Sequence, residues 1–118
     1  MAARSFEGVA VWRRAHAWVL GACRFTERFP RHELFGLTSQ LRRAAVSVPA
    51  NFAEGFKKRS HADKLRFYNI AQGSLEECRY YFILARDLDY GDSGALQRRA
   101  EEISKMLDSY MRAFHSAP

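Results

Sequence analysis

Two sets of side chains in this sequence carry groups that could do chemistry. The first is basic: Arg42, Arg43, Lys57, Lys58, Arg59, Lys64 and Arg66. Guanidinium and ammonium groups at that density suit phosphate oxygens, and a guanidinium can form two parallel hydrogen bonds to phosphate or carboxylate. Such binding is mostly non-specific and is lost as salt rises. The second set is a polar stripe: Gln40, Arg43, Ser47, Asn51, Glu54 and Lys58. They recur every three or four residues and so share one helix face. A mixed stripe of this kind is either a hydrogen-bonded seam between helices or subunits, or a ligand surface. The small neighbours Ala44, Ala45, Ala50, Ala53 and Gly55 let another helix approach closely, which favours the seam.

Catalytic patterns do not appear. There is no P-loop, no Rossmann glycine pattern and no HExxH. His16, His32, His61 and His115 stand apart, without a carboxylate or cysteine at metal-ligand spacing. The Glu-x-x-His pattern of di-iron bundles is missing. Ser39, Ser47 and Ser74 have no local base. Glu54 and Glu76 could meet as a carboxylate pair, but ion pairing accounts for acidic side chains here better, and Glu76 or Glu77 is expected to meet Arg42 or Arg43. The expectation is a protein that is not an enzyme and that uses no cofactor and no metal.

The elements that position these groups are helices. Leu37, Leu41, Ala44, Val48, Phe52 and Phe56 follow one another by three or four residues, and the phase runs across Pro49. That predicts one kinked helix rather than two, although proline in a helix interior costs about 3 kcal/mol. Burial of the stripe offsets this, at roughly 1.5–3 kcal/mol for each large apolar side chain. The competing reading ends the helix near residue 47. Before it, an amphipathic helix is predicted from about Val9 to Phe29, stopped by Pro30. Its face is Trp12, Ala15, Val19, Ala22 and Thr26, with Trp18 and Phe25 beside it. Gly21 in its middle marks a close helix contact.

After the central helix, Ser60 is an N-cap with Asp63 three residues on. A third helix is expected to run to about Asp89, apolar on a broad surface, with Gly73 as a point of close packing. Tyr68, Tyr80 and Tyr81 read as core aromatics more readily than as bases' stacking partners. A fourth helix carries Leu96, Ala100, Ile103, Leu107, Tyr110 and Phe114, with Met106 and Met111 alongside, and a frayed end follows over HSAP. Residues 1–6 read as a loose lead-in. Four helices joined by short turns predict an all-α, antiparallel up-down-up-down four-helix bundle, one domain over 1–118.

The chain's 118 residues are enough for one core. Its net charge of +6 is unevenly placed. Residues 1–66 hold 13 basic and 5 acidic side chains, and residues 67–118 hold 6 and 8. That asymmetry allows nucleic-acid binding, and equally allows one subunit to pair with the next. Cys23 and Cys78 have no metal spacing and read as small apolar side chains in a reduced, cytoplasmic protein. Arg13, Arg14 and His16 interrupt the first apolar run, so neither a targeting signal nor a membrane span is expected. No helix-turn-helix or other nucleic-acid motif is readable.

The runs GLTSQLRRAAVSVPANFAEG and AQGSLEE, with a turn near LDYG, resemble the four-helix-bundle family named from intervening sequences of bacterial 23S ribosomal RNA genes. A related branch is the accessory variability determinant of diversity-generating retroelements, a pentameric barrel that binds a reverse transcriptase and nucleic acid. The resemblance implies a homopentamer without enzyme activity. Its signature falls on Gln40, Arg42, Arg43, Ser47, Pro49, Asn51, Glu54, Gly55, Gly73, Ser74 and Glu76. It leaves two functions open: an oligomeric adaptor presenting a basic surface to RNA, DNA or a nucleic-acid enzyme, or a structural, protein-interaction bundle with no nucleic-acid role.

Overall fold

The computed structural model describes residues 2–115. The frayed end expected over HSAP therefore lies outside the described residues except for His115, which closes the last helix. Four helices build the molecule: α1 Ala10–Thr26, α2 Leu37–Lys57, α3 His61–Asp87 and α4 Gly94–His115. Short 3-10 turns, Phe6–Gly8 and Arg31–Glu33, precede α1 and α2. The first of these replaces part of the loose lead-in expected over residues 1–6. Among the described residues there is no strand.

Each helix packs against two others in the cyclic order α1, α2, α3, α4. The contacts run in opposite directions along neighbours. On α2 and α3, Gln40 meets Tyr81, Ser47 meets Ser74, and Phe52 meets Tyr68. On α3 and α4, Tyr68 meets Tyr110, Gln72 meets Ser104, and Arg79 meets Glu101. Descending one helix is ascending the next, so neighbours are antiparallel. The two turns at one end are tied together by Tyr90, whose hydroxyl donates to Glu33 and whose ring packs on Phe29.

The core is continuous from end to end. Leu37, Leu41, Ala44, Val48 and Phe52 are buried as the repeat requires, while Phe56 is half-buried. They meet Trp18, Ala22 and Phe25 from α1, Tyr68, Leu75 and Phe82 from α3, and Ala100, Ile103 and Leu107 from α4. Helix α2 continues through Pro49, whose ring is itself buried. The buried indole of Trp18 donates to the carbonyl of Leu96, 3.1 Å away, which satisfies both groups and pins α1 to α4.

The ends follow from local chemistry. Ser60 Oγ accepts from the Asp63 backbone N–H, 3.1 Å, and starts α3. At the far end of α3, Asp89 is left-handed, with φ of 62°. The Tyr90 N–H reaches Ala85 O and the Asp89 N–H reaches Arg86 O, the paired closure of a Schellman motif. This stops α3 at Asp87, two residues short of the expected end. Helix α1 stops at Thr26, three residues short of Phe29. Its last bonds there tighten to i→i+3 spacing, and Thr26 Oγ1 donates to Cys23 O.

Candidate interaction surface

The polar stripe of α2 becomes a seam with α3. Ser47 Oγ and Ser74 Oγ lie 2.8 Å apart. Asn51 Nδ2 donates to both Ser47 O, 2.8 Å, and Ser47 Oγ, 2.7 Å. That leaves the Ser47 hydrogen free to be donated to Ser74. About two turns away, Tyr81 Oη contacts Glu77 Oε2 and lies 3.1 Å from Gln40 Oε1. The phenol has one proton to donate, and the charged Glu77 carboxylate is the stronger of its two acceptors. The Glu77 hydrogen bond holds the Tyr81 pKa up at about 12, so the phenol stays protonated and acts as a donor, not a base. A groove of about 560 Å3 opens over this seam between Phe35, Ser39, Arg43 and Glu77.

Not every stripe residue joins the seam. Glu54 is exposed. Lys58 lies over the ring of Phe67, 5.0 Å from its centroid. The expected pairing of Glu76 or Glu77 with Arg42 or Arg43 does not occur. Glu76 pairs with Arg79 at 3.0 Å, and Arg79 bridges on to Glu101 of α4. The reason is rotation: Glu76 follows Ser74 by two residues, about 200° round the helix, so it faces α4 when Ser74 faces α2. Arg42 instead turns to α1, where its Nε donates to Thr26 Oγ1 at 2.7 Å. Glu54 and Glu76 do not meet either. The neighbouring Gly55 abuts Phe67, nine residues along α3 from Glu76 and so about 13 Å away along the axis.

The two signature glycines behave in opposite ways. A Cβ on Gly55 would stand 2.8 Å from Tyr68 Cε1 and 2.9 Å from Phe67 Cβ, so this glycine permits the α2–α3 approach. Gly73 has nothing within 4 Å of its Cβ position and faces outward. Its expected packing role is absent within the chain. Tyr80, expected in the core, is instead 58% exposed, whereas Tyr68 is fully buried and Tyr81 is half-buried. Ile70, Gly73, Tyr80 and Ile83 form an outward stripe on α3, and Val46 and Phe35 (the latter 92% exposed) lie on the other side of the seam. The α2–α3 side of the molecule thus combines a polar groove with apolar borders.

The basic candidates do not form one patch. Lys57, Lys58, Arg59, Lys64 and Arg66 surround the α2–α3 turn, but Arg43 lies about 21 Å from Lys57 along the helix axis. Several of these charges act within the chain. Lys64 Nζ donates to Phe56 O at 2.6 Å and to Gly55 O at 3.4 Å, closing the last turn of α2. Burial there lowers its pKa. Arg66 and Lys58 both lie over Phe67, Arg66 at 4.5 Å. Lys57 and Arg59 remain exposed. A different set of arginines, scattered in sequence, comes together in the fold. Arg24, Arg28 and Arg99 line a groove of about 320 Å3 between α1 and α4, floored by Gly21, Phe25 and Leu96. The signal was present as Gly21 in a helix with arginines three and seven residues on, but Arg99 is linked to it only by the fold.

Among the described residues, no three His, Cys, Asp or Glu side chains lie close enough to share a metal ion. Cys23 and Cys78 are thiols, and burial pushes the Cys78 pKa up to about 12. None of the described helices is long and apolar enough to cross a membrane. Residues 7–109 match the family described as 23S rRNA-intervening sequence protein, and the chain belongs to that family. No curated protein was found to match it.

Proposed function

We propose that this protein is a non-enzymatic, self-associating bundle that serves as a cytoplasmic adaptor, assembling through its α2–α3 side and presenting basic surface to RNA or to a nucleic-acid enzyme. The observation that carries the assembly is the outward stripe on α3. Ile70, Tyr80 and Ile83 are exposed, with a bare Gly73 between them that would admit a helix. Exposed large apolar groups bordering a polar groove mark an interaction surface. The resemblance to a pentameric relative supports five copies. The excess of basic over acidic side chains in residues 1–66 supports a polyanionic partner.

The second reading, a structural bundle without nucleic acid, has its own support. Lys64 and Arg42 use their donors inside the chain, and Lys58 and Arg66 lie on Phe67. One experiment addresses both. Sedimentation of wild type and Ile70→Glu/Tyr80→Glu reads the assembly, and both samples are titrated with labelled RNA at low salt. The adaptor reading expects an oligomer that binds RNA and a monomeric, still helical variant. A wild-type monomer sinks the assembly, and an oligomer that ignores RNA leaves only the structural reading.

A further inference from the structure

Arginines of α1, of the turn that follows it and of α4 form a row that outnumbers the carboxylates beside it. Arg24, Arg28 and Arg99 share one groove, and Arg14 and Arg99 share the adjoining cleft with Glu102. All four are exposed. Among the described residues none of them makes an ion pair or a side-chain hydrogen bond. The ion pairs found are confined to His32, Arg79 and Arg86 with their acidic partners. Like charges gathered in excess of their counter-charge repel one another, and an anion relieves that repulsion.

The groove is a built feature. Gly21 has Leu96 Cδ2 at 3.2 Å from its Cβ position, so its lack of a side chain lets α4 approach α1 closely there, and the Arg99 guanidinium lies beside it at 3.6 Å. Two carboxylates border the groove. Asp92 is already engaged by the Gly94 N–H at 2.9 Å, and Glu102 is not bonded.

We propose that this α1–α4 groove is the binding site for a nucleic-acid phosphate backbone; it rests on the adaptor reading above and locates its nucleic-acid surface away from the α2–α3 side. From Arg14 to Arg24 the row spans about 15 Å along α1, and Arg28 continues it just past the helix end. A run of guanidiniums open at both ends fits a repeating anion. An acidic peptide would need an apolar anchor to be held specifically. Here the apolar floor, Phe25 and Leu96, is buried in the core and offers none.

The test is fluorescence anisotropy of labelled oligouridylate RNA against the full chain over a range of salt. Arg24→Gln/Arg28→Gln/Arg99→Gln is compared with Lys57→Gln/Lys58→Gln/Arg59→Gln, which removes the same charge elsewhere. The groove variant is expected to bind about tenfold or more weaker, with the slope of log K against log salt smaller by about 2. The control variant is expected to stay close to wild type. Should the groove variant fail to show its helical circular dichroism, Glu102→Gln carries the test: losing the free carboxylate must tighten RNA binding. Wild-type affinity and slope in the groove variant, or an unchanged Glu102→Gln, overturns the proposal. Loss confined to the control variant overturns the groove and leaves the adaptor standing. Polyglutamate competing as well as RNA overturns the nucleic-acid assignment, and a wild-type chain that ignores RNA at low salt ends both readings.

Discussion

Gly55 and Glu33 show how much a single position can hold. Gly55 sits where Tyr68 and Phe67 leave no room, and the Tyr68 ring is itself held by Phe52, Tyr110 and Phe114. Gly55→Ala gains about 1 kcal/mol in helix propensity but loses more to overpacking, for a net destabilisation of about 1–2 kcal/mol. Gly73→Ala, with nothing within 4 Å, is the matched control and gains stability in the isolated chain. Denaturant unfolding of both separates space from propensity. Glu33 acts through charge. It accepts from the Tyr90 hydroxyl at 2.7 Å and the Leu37 N–H at 3.2 Å, and these bonds hold its pKa below the usual carboxylate value. A lowered folded-state pKa means the contribution is complete above the unfolded value and disappears as pH falls through the folded one. Glu33→Gln is therefore expected to be less stable than wild type at neutral pH, with the gap closing in acid. Urea midpoints measured down the pH scale read this directly. A gap that widens in acid contradicts it.

Elements were legible where a signal was local. The phase across Pro49 predicted a continuous α2, and Ser60 with Asp63 predicted the start of α3. Ser60→Ala is expected to cost about 1 kcal/mol, readable as a lower thermal midpoint without change in helix content at low temperature. Periodicity was less informative on α3. Its apolar residues occupy several faces, and a repeat of three and four says which residues share a face, not what that face meets. Tyr80 and Gly73 were therefore assigned to packing that the chain does not supply. The same limit applied to charge. Arg43 and Lys57 are neighbours in a list of basic residues and sit at different levels of one helix, while Arg28 and Arg99 are remote in sequence and share a groove. Helix ends also escaped: the left-handed Asp89 carries no glycine to announce it.

The whole molecule has two chemically unlike sides. The α2–α3 side carries apolar groups beside a seam already satisfied by Ser47, Asn51 and Ser74, so little there calls for a charged ligand. The α1–α4 side carries exposed arginines that make no ion pair among the described residues. A bundle that assembles through the first side turns the second outward, and each added copy multiplies the phosphate contacts available to one strand. Assembly has a thermodynamic signature independent of any ligand. If folded chains associate and unfolded ones do not, the melting temperature rises with protein concentration. We expect that rise for wild type and none for Ile70→Glu/Tyr80→Glu, whose substitutions place charges on the α3 stripe. Differential scanning calorimetry over a hundredfold range of concentration, about 2.7 kcal/mol of linkage at saturation, is sufficient to see it. A wild-type midpoint that does not move with concentration would mean that Ile70, Tyr80 and Ile83 face water in the working protein, and the outward stripe would then need another partner.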